Sequence, residues 1–577
     1  MSQLVTDVEP LEPRGIERLW KRQLSNYPGN GTRASFLGLS VVVTVVLYFQ
    51  QYIAGAIGPS IISYFHISFR YYLYVTVISS AFGAFASLVA GLADRWGRAN
   101  IVVYGLLAAS LITLFGIPHA KSATEYVAFV CMVGIVEGLV LVATPALIRD
   151  FSPQLGRGAA MGFWTLGPVL GSLTVSEVSS HTLPHLHAWQ DQYMITGSVG
   201  LVVFVLALFT LRELSPNLRD QLMVSVRDRK LLEMKVKDID IGKILEKPWK
   251  QMMRLNILVP ATSIALFLLI YYAAVGFFVI YFVSVFGFSE AQGNDISNWF
   301  WSADAVCVVA IGLISDRFKV RKPFMLIGGI GAIVMTVIFA TRATHPSTTY
   351  GEFVLIAAFL SGFRGVAYSP WMTAFSETIE ARNPALVATG LAIWGWILRA
   401  VVSISFLILP YVLTSVTPLV TYGPTVKSIL ALYPTQVATA RAIDPATLAA
   451  LKNNQKDFAA IEKAVKEIAA AQNISSNKAL ANLIALRSVP KSDLSYLETY
   501  GVQVESAQKS APGQWQTWWW VCVAGEVVFV PSIFLLTGRW SPKKAKKDAE
   551  DHQAKIDAEL AKRIWEMQKE EVDLALK

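Results

Sequence analysis

The chain has 577 residues, of which 54% are apolar and only 16% charged, and its mean hydropathy is +0.47. That balance excludes an ordinary soluble globular protein and fits a chain that spends most of its length inside a bilayer. Lysine and arginine exceed aspartate and glutamate by nine, and this excess sits in loops and tails, a pattern of anchoring at the inner membrane face and not of nucleic-acid binding.

Residues 1–35 are polar and carry Arg14, Arg18, Lys21, Arg22 and Arg33, which places the N-terminus inside. The first apolar run begins near Phe36 and continues past 20 residues with no small-residue cleavage site, so it reads as a spanning helix and not as a removable signal. Runs of spanning length lie at about 37–62, 72–93, 101–117, 126–148, 159–179 and 193–212, which makes 36–212 a six-helix bundle. Residues 213–255 form a charged linker. Spans resume at about 257–284, 294–315, 323–341, 352–374 and 386–411, giving the second bundle over 256–411. A module at 412–514 follows, then a twelfth span at 515–538 and a charged tail at 539–577. Both ends are therefore expected inside, in a multi-pass plasma (inner) membrane protein. The three cysteines, Cys131, Cys307 and Cys522, lie within apolar runs and suggest neither a disulfide framework nor a zinc site.

The module at 412–514 contains Pro445-Ala-Thr-Leu-Ala-Ala-Leu451 and Phe458-Ala-Ala-Ile-Glu-Lys-Ala-Val-Lys-Glu-Ile468, with apolar positions at helical spacing and Asp444 as an N-cap. It reads as a small helical cap outside the membrane. Asn473-Ile-Ser475 matches a glycosylation acceptor pattern on that face.

Between the second and third spans the chain reads Gly91-Leu-Ala-Asp94-Arg95-Trp-Gly97-Arg98-Ala-Asn100. A second version, Gly312-Leu-Ile-Ser-Asp316-Arg317-Phe-Lys-Val-Arg321-Lys322, follows the eighth span. The first resembles the signature turn of the major facilitator superfamily, although Ala99 and Asn100 stand where the family's last basic residue is expected. The resemblance implies an all-α integral membrane fold of two six-helix bundles in parallel pseudo-repeat, here with a helical extracytoplasmic insertion. It also implies a gating role for Gly91, Asp94, Arg95, Gly97, Arg98, Asp316 and Arg317. In the family the Asp of this turn, here Asp94, meets the inner end of the eleventh helix and holds the outward-facing state.

The repeat extends beyond these turns. Glu137-Gly138 in the fourth span corresponds to Arg364-Gly365 in the tenth, about 227 residues on, and Gly171 in the fifth corresponds to Arg399 in the eleventh. Trp189-Gln190 and Val202-Val-Phe-Val205 recur as Trp515-Gln516 and Val527-Val-Phe-Val530, at a step larger by roughly the length of the insertion.

Five charged residues fall near span centres: Glu137, Asp304, Arg364, Arg399 and Glu526. Each costs roughly 2.5–3.5 kcal/mol at such a depth, so they should face the bundle interior, paired or lining a watery path. One reading is a set of fixed ion pairs that join helices, such as Asp304 with Arg364 or Arg399. The other is chemical. An acid at this depth responds in opposite senses to desolvation and to a nearby guanidinium, which suits Glu137, Asp304 and Glu526 to proton coupling. An arginine keeps its charge and its planar fork matches a carboxylate, which suits Arg364 and Arg399 to anion recognition. In the family the first, fourth, seventh and tenth helices line the path, so the resemblance implies that Glu137 and Arg364 stand across it. Tyr48, Gln50, Gln51, Tyr271, Tyr272, Tyr368 and Trp371 complete the candidate substrate-binding set, with aromatic core packing as the plain alternative.

Gly167-Pro168-Val-Leu-Gly171 in the fifth span partly resembles the family's antiporter motif, and equally suits a close-packing point. No phosphate-cradling loop, nucleophile elbow or His-Glu-x-x-His occurs, and His181, His185 and His187 read as a solvated loop. Neither an enzyme nor a cofactor nor a resident metal is expected. The favoured function is transmembrane transport by proton-coupled alternating access, as an organic anion:proton symporter whose partners are a small molecule, protons and the lipid bilayer. A proton-driven multidrug or metabolite exporter, and a transporter-like receptor or scaffold, are the alternatives.

Overall fold

The computed structural model describes residues 17, 19–88, 97–151, 156–215, 218, 248–383, 386–454, 456–548 and six scattered positions of the tail. Of the gating residues, Gly91, Asp94 and Arg95 lie outside the described residues. The described chain is almost wholly helical; its one sheet is a two-stranded parallel pair, Gln23–Leu24 with Glu213–Leu214.

Twelve long helices, labelled α1 to α12, occupy the places of the twelve apolar runs. The first six are α1 (Asn30–Ala56), α2 (Phe69–Leu88), α3 (Arg98–Leu111, continued to His119), α4 (Ala123–Phe151), α5 (Gly156–Thr182) and α6 (Trp189–Thr210). The second six are α7 (Leu255–Phe267 and Leu269–Tyr281), α8 (Glu290–Phe318), α9 (Lys322–Arg342), α10 (Tyr350–Arg382), α11 (Val387–Val412) and α12 (Val502–Ser532). Among the described residues ten are long and apolar enough to cross a membrane by length and composition. The other two, α2 and α5, have 20 and 27 residues and carry more serine, glycine, tyrosine or charge.

Helix starts follow local chemistry. Ser289 and Thr349 each cap the first turn of a helix, α8 and α10, and each donates its own backbone N–H back to the side chain of Gln292 or Glu352. Gly287, at a positive φ of 68°, turns the chain out of α7 just before. Within each half, packing is close enough that the backbones nearly touch. A Cβ on Gly138 would stand 2.2 Å from the Gly83 carbonyl, so α2 and α4 meet through glycine.

The ends of elements differ from the sequence reading where no apolar residue marks them. α1 starts at Asn30 and not near residue 36, and α12 reaches back to Val502, well before 515. The start of the supposed linker, Glu213–Leu214, is a strand of the first half, while 219–247 lie outside the described residues. The insertion folds into short helices, among them Gly423–Leu432, Pro434–Ala442, Pro445–Asn453, Phe458–Gln472 and Ser476–Ala485. It has its own apolar cluster around Ile443, Ala464, Ile468 and Ala479.

The halves are joined at one end. Ser60 N–H donates to Glu290 Oε1 (2.7 Å), Asn294 Nδ2 donates to the Ala56 carbonyl (2.9 Å), and Phe69 N–H donates to Thr417 Oγ1 (2.9 Å). Glu177 pairs with Asn298, and the Arg70 guanidinium sits 4.7 Å from the Tyr411 ring centre. All of these lie at the insertion end. These bonds close the molecule at the insertion end.

Candidate functional site: a charged and tyrosine-rich centre between the halves

The central site is built by α1, α4, α7, α8, α10 and α11. Repeat geometry brings Arg364 on α10 against Asp304 on α8, and the two form an ion pair, both essentially without solvent contact. The Arg364 guanidinium also lies over the Tyr271 ring at 4.6 Å and near Phe300 at 5.9 Å. Trp301 packs edge-on to Tyr271 at 5.1 Å. This guanidinium is thus committed to a carboxylate and two rings. The fixed pair considered from sequence is what the geometry contains, and Arg364 does not pair with Glu137.

Glu137 is 1% exposed, and neither of its carboxylate oxygens has a hydrogen-bond partner among the described residues. It stands within electrostatic reach of Tyr48 and Tyr52 on α1. An unpartnered acid at such a depth is costly. Arg399 differs from Arg364 in both respects. It is exposed, no carboxylate pairs with it among the described residues, and it faces Tyr48 and Tyr272 closely enough to act on both.

The tyrosines join these charges. Tyr48, Tyr271, Tyr272 and Tyr368 influence one another across the two halves, with Arg364 and Asp304 acting on Tyr368 and Tyr271. Their placement has local causes. α7 breaks at Leu268 just before Tyr271 and Tyr272, the kind of discontinuity that sets groups at a midplane site. Tyr48 is seated by α5: a Cβ on Gly171 would come within 2.4 Å of Tyr48 Cβ, and one on Gly167 within 2.6 Å of Thr44 Cγ2. The helix-5 Gly-Pro motif therefore acts here as the close-packing point of α5 on α1.

Two candidates lie elsewhere. Gln50 is buried, donates to Ser110 Oγ on α3 (2.9 Å) and abuts Gly200 on α6. At 100° per residue it is about 200° round the helix from Tyr48, whereas Gln51, which is exposed, is within about 60° of Tyr48. Trp371, by contrast, is buried next to the centre, stacked on Tyr368 (6.4 Å) and Phe375 (4.7 Å) and tilted against Trp394 (5.8 Å), so it packs the site tyrosine from behind. Glu526 accepts from Thr336 Oγ1 (2.8 Å) and joins α12 to α9.

At the turn end, Gly97 has a φ of 88°, which favours glycine, and Arg98 binds Asp150 of α4 at 2.9 Å. The second half repeats the arrangement: Arg321 binds Glu377 at 3.2 Å and Asp316 at 2.6 Å, while Arg317 is exposed. Asp150 and Glu377 were missed from sequence. Each is an acid at the turn end of its span, about 227 residues apart, so the repeat carried a signal for both. Glu290, Asn294 and Thr417 at the closed end had no such signal. His181 lies beside Glu177 at 3.7 Å, and no group of three or more metal-ligating side chains occurs among the described residues.

Comparison with known proteins agrees with this architecture. The Major Facilitator Superfamily model matches residues 40–303. The multidrug resistance protein MdtG of Citrobacter koseri is 27% identical over 38% of this chain, a match that spans only 51% of that relative's length. A bacterial homologue of the human lysosomal transporter Spinster, in an inward-facing and unoccupied conformation, superposes with a TM-score of 0.56 at 14% identity, covering 89% of this chain and all of that one. The xylose transporter XylE from E. coli reaches 0.50 at 13% identity, over 66% of this chain and 92% of that one. At such identities the likeness shows the fold alone. The Major Facilitator Superfamily model is thus matched within the first half of the chain, and the likeness to solved transporters carries the same fold through the second.

Proposed function

We propose that the protein moves a small organic anion across a membrane together with protons, by rocking its two halves about the central site. The observation that carries this reading is the separation of roles between Glu137, buried and unpartnered, and Arg399, exposed and unpaired among the described residues, beside the same tyrosine, Tyr48. Arg399 supplies a planar fork for a carboxylate and the Tyr48 and Tyr272 hydroxyls supply further donors. Glu137 takes up a proton on one side and gives it back on the other. The Arg364–Asp304 pair is internally neutral and holds α8 to α10 beside Tyr271. The gating role of Asp94 belongs to this proposal, as do a plasma-membrane location and cytoplasmic termini, which the basic turns support.

Substrate-loaded liposomes test the anion assignment by counterflow, which needs no gradient of protons. A panel of carboxylates should exchange in the parent, fall at least tenfold in Arg399→Ala, and recover in part in Arg399→Lys. Equal exchange in all three would contradict the assignment.

A second reading is a proton-driven exporter of hydrophobic or cationic compounds. The similarity to a protein named for multidrug resistance, and a path lined by four tyrosines, favour it. Exchange of cationic dyes with inert carboxylates would select it, and silence from both panels would favour a receptor.

A further inference from the structure

The residues just before α1 do more than precede a helix. Arg22 is 1% exposed although it lies outside the spans. Its guanidinium caps the C-terminal end of α6, with Nη1 donating to the carbonyls of Leu208 (2.7 Å), of Leu211 just past the helix (3.2 Å) and of Ala207 (3.4 Å), which also accepts from the Leu211 N–H. The next two residues pair with Glu213–Leu214 as a parallel ladder. Upstream, the Leu19 carbonyl accepts from Tyr104 OH (3.0 Å), the Trp20 carbonyl accepts from Asn100 Nδ2 (2.9 Å), and Trp20 stacks on Tyr104 at 5.6 Å.

Glu213 is the connection to the signature turn. It is 1% exposed and accepts from the Arg98 backbone N–H at 2.7 Å. Its Oε1 lies so close to Gly97 that a Cβ there would come within 2.4 Å. Arg98 in turn reaches Asp150 on α4. One end of the turn is therefore gripped by the strand that Arg22 and its neighbours hold against α6.

We propose that residues 19–24, anchored by Arg22, are a strap that fixes the Gly97–Arg98 end of the signature turn in its working shape. Arg22 and Glu213 are then positioning residues for the change of access, acting through the turn and not on substrate. The inference rests on the alternating-access reading. In the state described here the molecule is closed at the insertion end, and the Gly97–Arg98 end of the turn is held by groups of its own half, Glu213 and Asp150. The strap fixes the Gly97–Arg98 end in advance. Without it, the Gly97–Arg98 end would have to be fixed at the moment the turn engages the second half, at the expense of the outward-open state.

The test measures that population directly in the full-length protein in lipid nanodiscs. Cys131, Cys307 and Cys522 are replaced by serine, and spin labels are placed at Leu186→Cys and Ser347→Cys, exposed loop positions at the insertion end of either half. The parent should show a short and a long separation. Arg22→Ala should cut the long-separation fraction about fivefold, Arg22→Lys should restore about half of it, and both should melt within about 2 °C of the parent, because water can satisfy the freed α6 carbonyls. Glu213→Ala should reproduce the Arg22→Ala distribution. Distributions equal to the parent's would overturn the strap, as would a fall in melting temperature that Arg22→Lys does not relieve. A single separation in the parent under every condition would remove alternating access, and the strap with it.

Discussion

Asp304 and Arg364 show how much and how little a residue's identity reveals. Their depth was legible because charge in an apolar run is rare and expensive. Their pairing was one of two readings, and only geometry chose between them. Removing one partner strands a buried charge, so Arg364→Ala should cost about 3–5 kcal/mol of stability, while the double replacement Asp304→Leu with Arg364→Met should cost less than either single change. Thermal melting of the purified protein in detergent checks this order. A double variant no more stable than Arg364→Ala would mean that the pair adds something beyond charge neutrality. Glu526 was grouped with Glu137 because both are central acids, yet one has Thr336 and the other no partner among the described residues. Glu526→Gln keeps an acceptor for Thr336, so it should leave proton-linked uptake within about twofold of the parent. Loss of proton linkage would instead place Glu526 in the coupling path. Gln50 was misplaced for a simple reason: adjacency in sequence is a 100° turn in space.

At the scale of elements, α1 carries the site because its neighbours come unusually close. Gly171 of α5 is pressed on Tyr48, and Gly55 of α1 is pressed on the Val275 carbonyl of α7, where an added Cβ would stand at 2.0 Å. Gly55→Leu should therefore drive the halves apart at the insertion end and cost about 1–3 kcal/mol in the state described here. Measured by alkylation of an engineered cysteine near Ser60, it should raise accessibility from the insertion side; unchanged labelling would show that α1 and α7 separate at no cost. The insertion behaves as its own element. Glu467 accepts from Asp444 N–H (2.9 Å) and Thr447 Oγ1 (3.2 Å). Glu467→Ala should lower local stability by about 1–2 kcal/mol. Hydrogen exchange over 439–486 should report it, with transport unaffected; a matching loss of transport would tie this part of the cap to gating. Twelve helices were legible from twelve apolar runs, including the two with weaker composition. Their ends were not, because Asn30 and Val502 start helices whose first turns are polar and leave no hydropathy signal. The two-residue strands were illegible too, since a ladder that short has no period to read.

For the whole molecule, the internal repeat was the strongest signal in the chain. It makes Arg98 with Asp150 equivalent to Arg321 with Glu377, and Glu137 equivalent to Arg364. What a repeat cannot carry is asymmetry, and asymmetry is what gives this molecule its state and its chemistry. The hydrogen bonds that join the halves among the described residues gather at the insertion end. Of the two arginines near span centres, one is neutralised by Asp304, and the other is exposed and unpaired among the described residues. The central claim is that Glu137 couples proton entry to substrate entry in such a two-state machine. Its most direct test is proton flux into liposomes containing a pH-sensitive dye when a transported carboxylate is added outside, in the parent and in Glu137→Gln. The account predicts acidification in the parent, and in Glu137→Gln no acidification above background with counterflow exchange of the same carboxylate retained. Equal acidification in both proteins would contradict it.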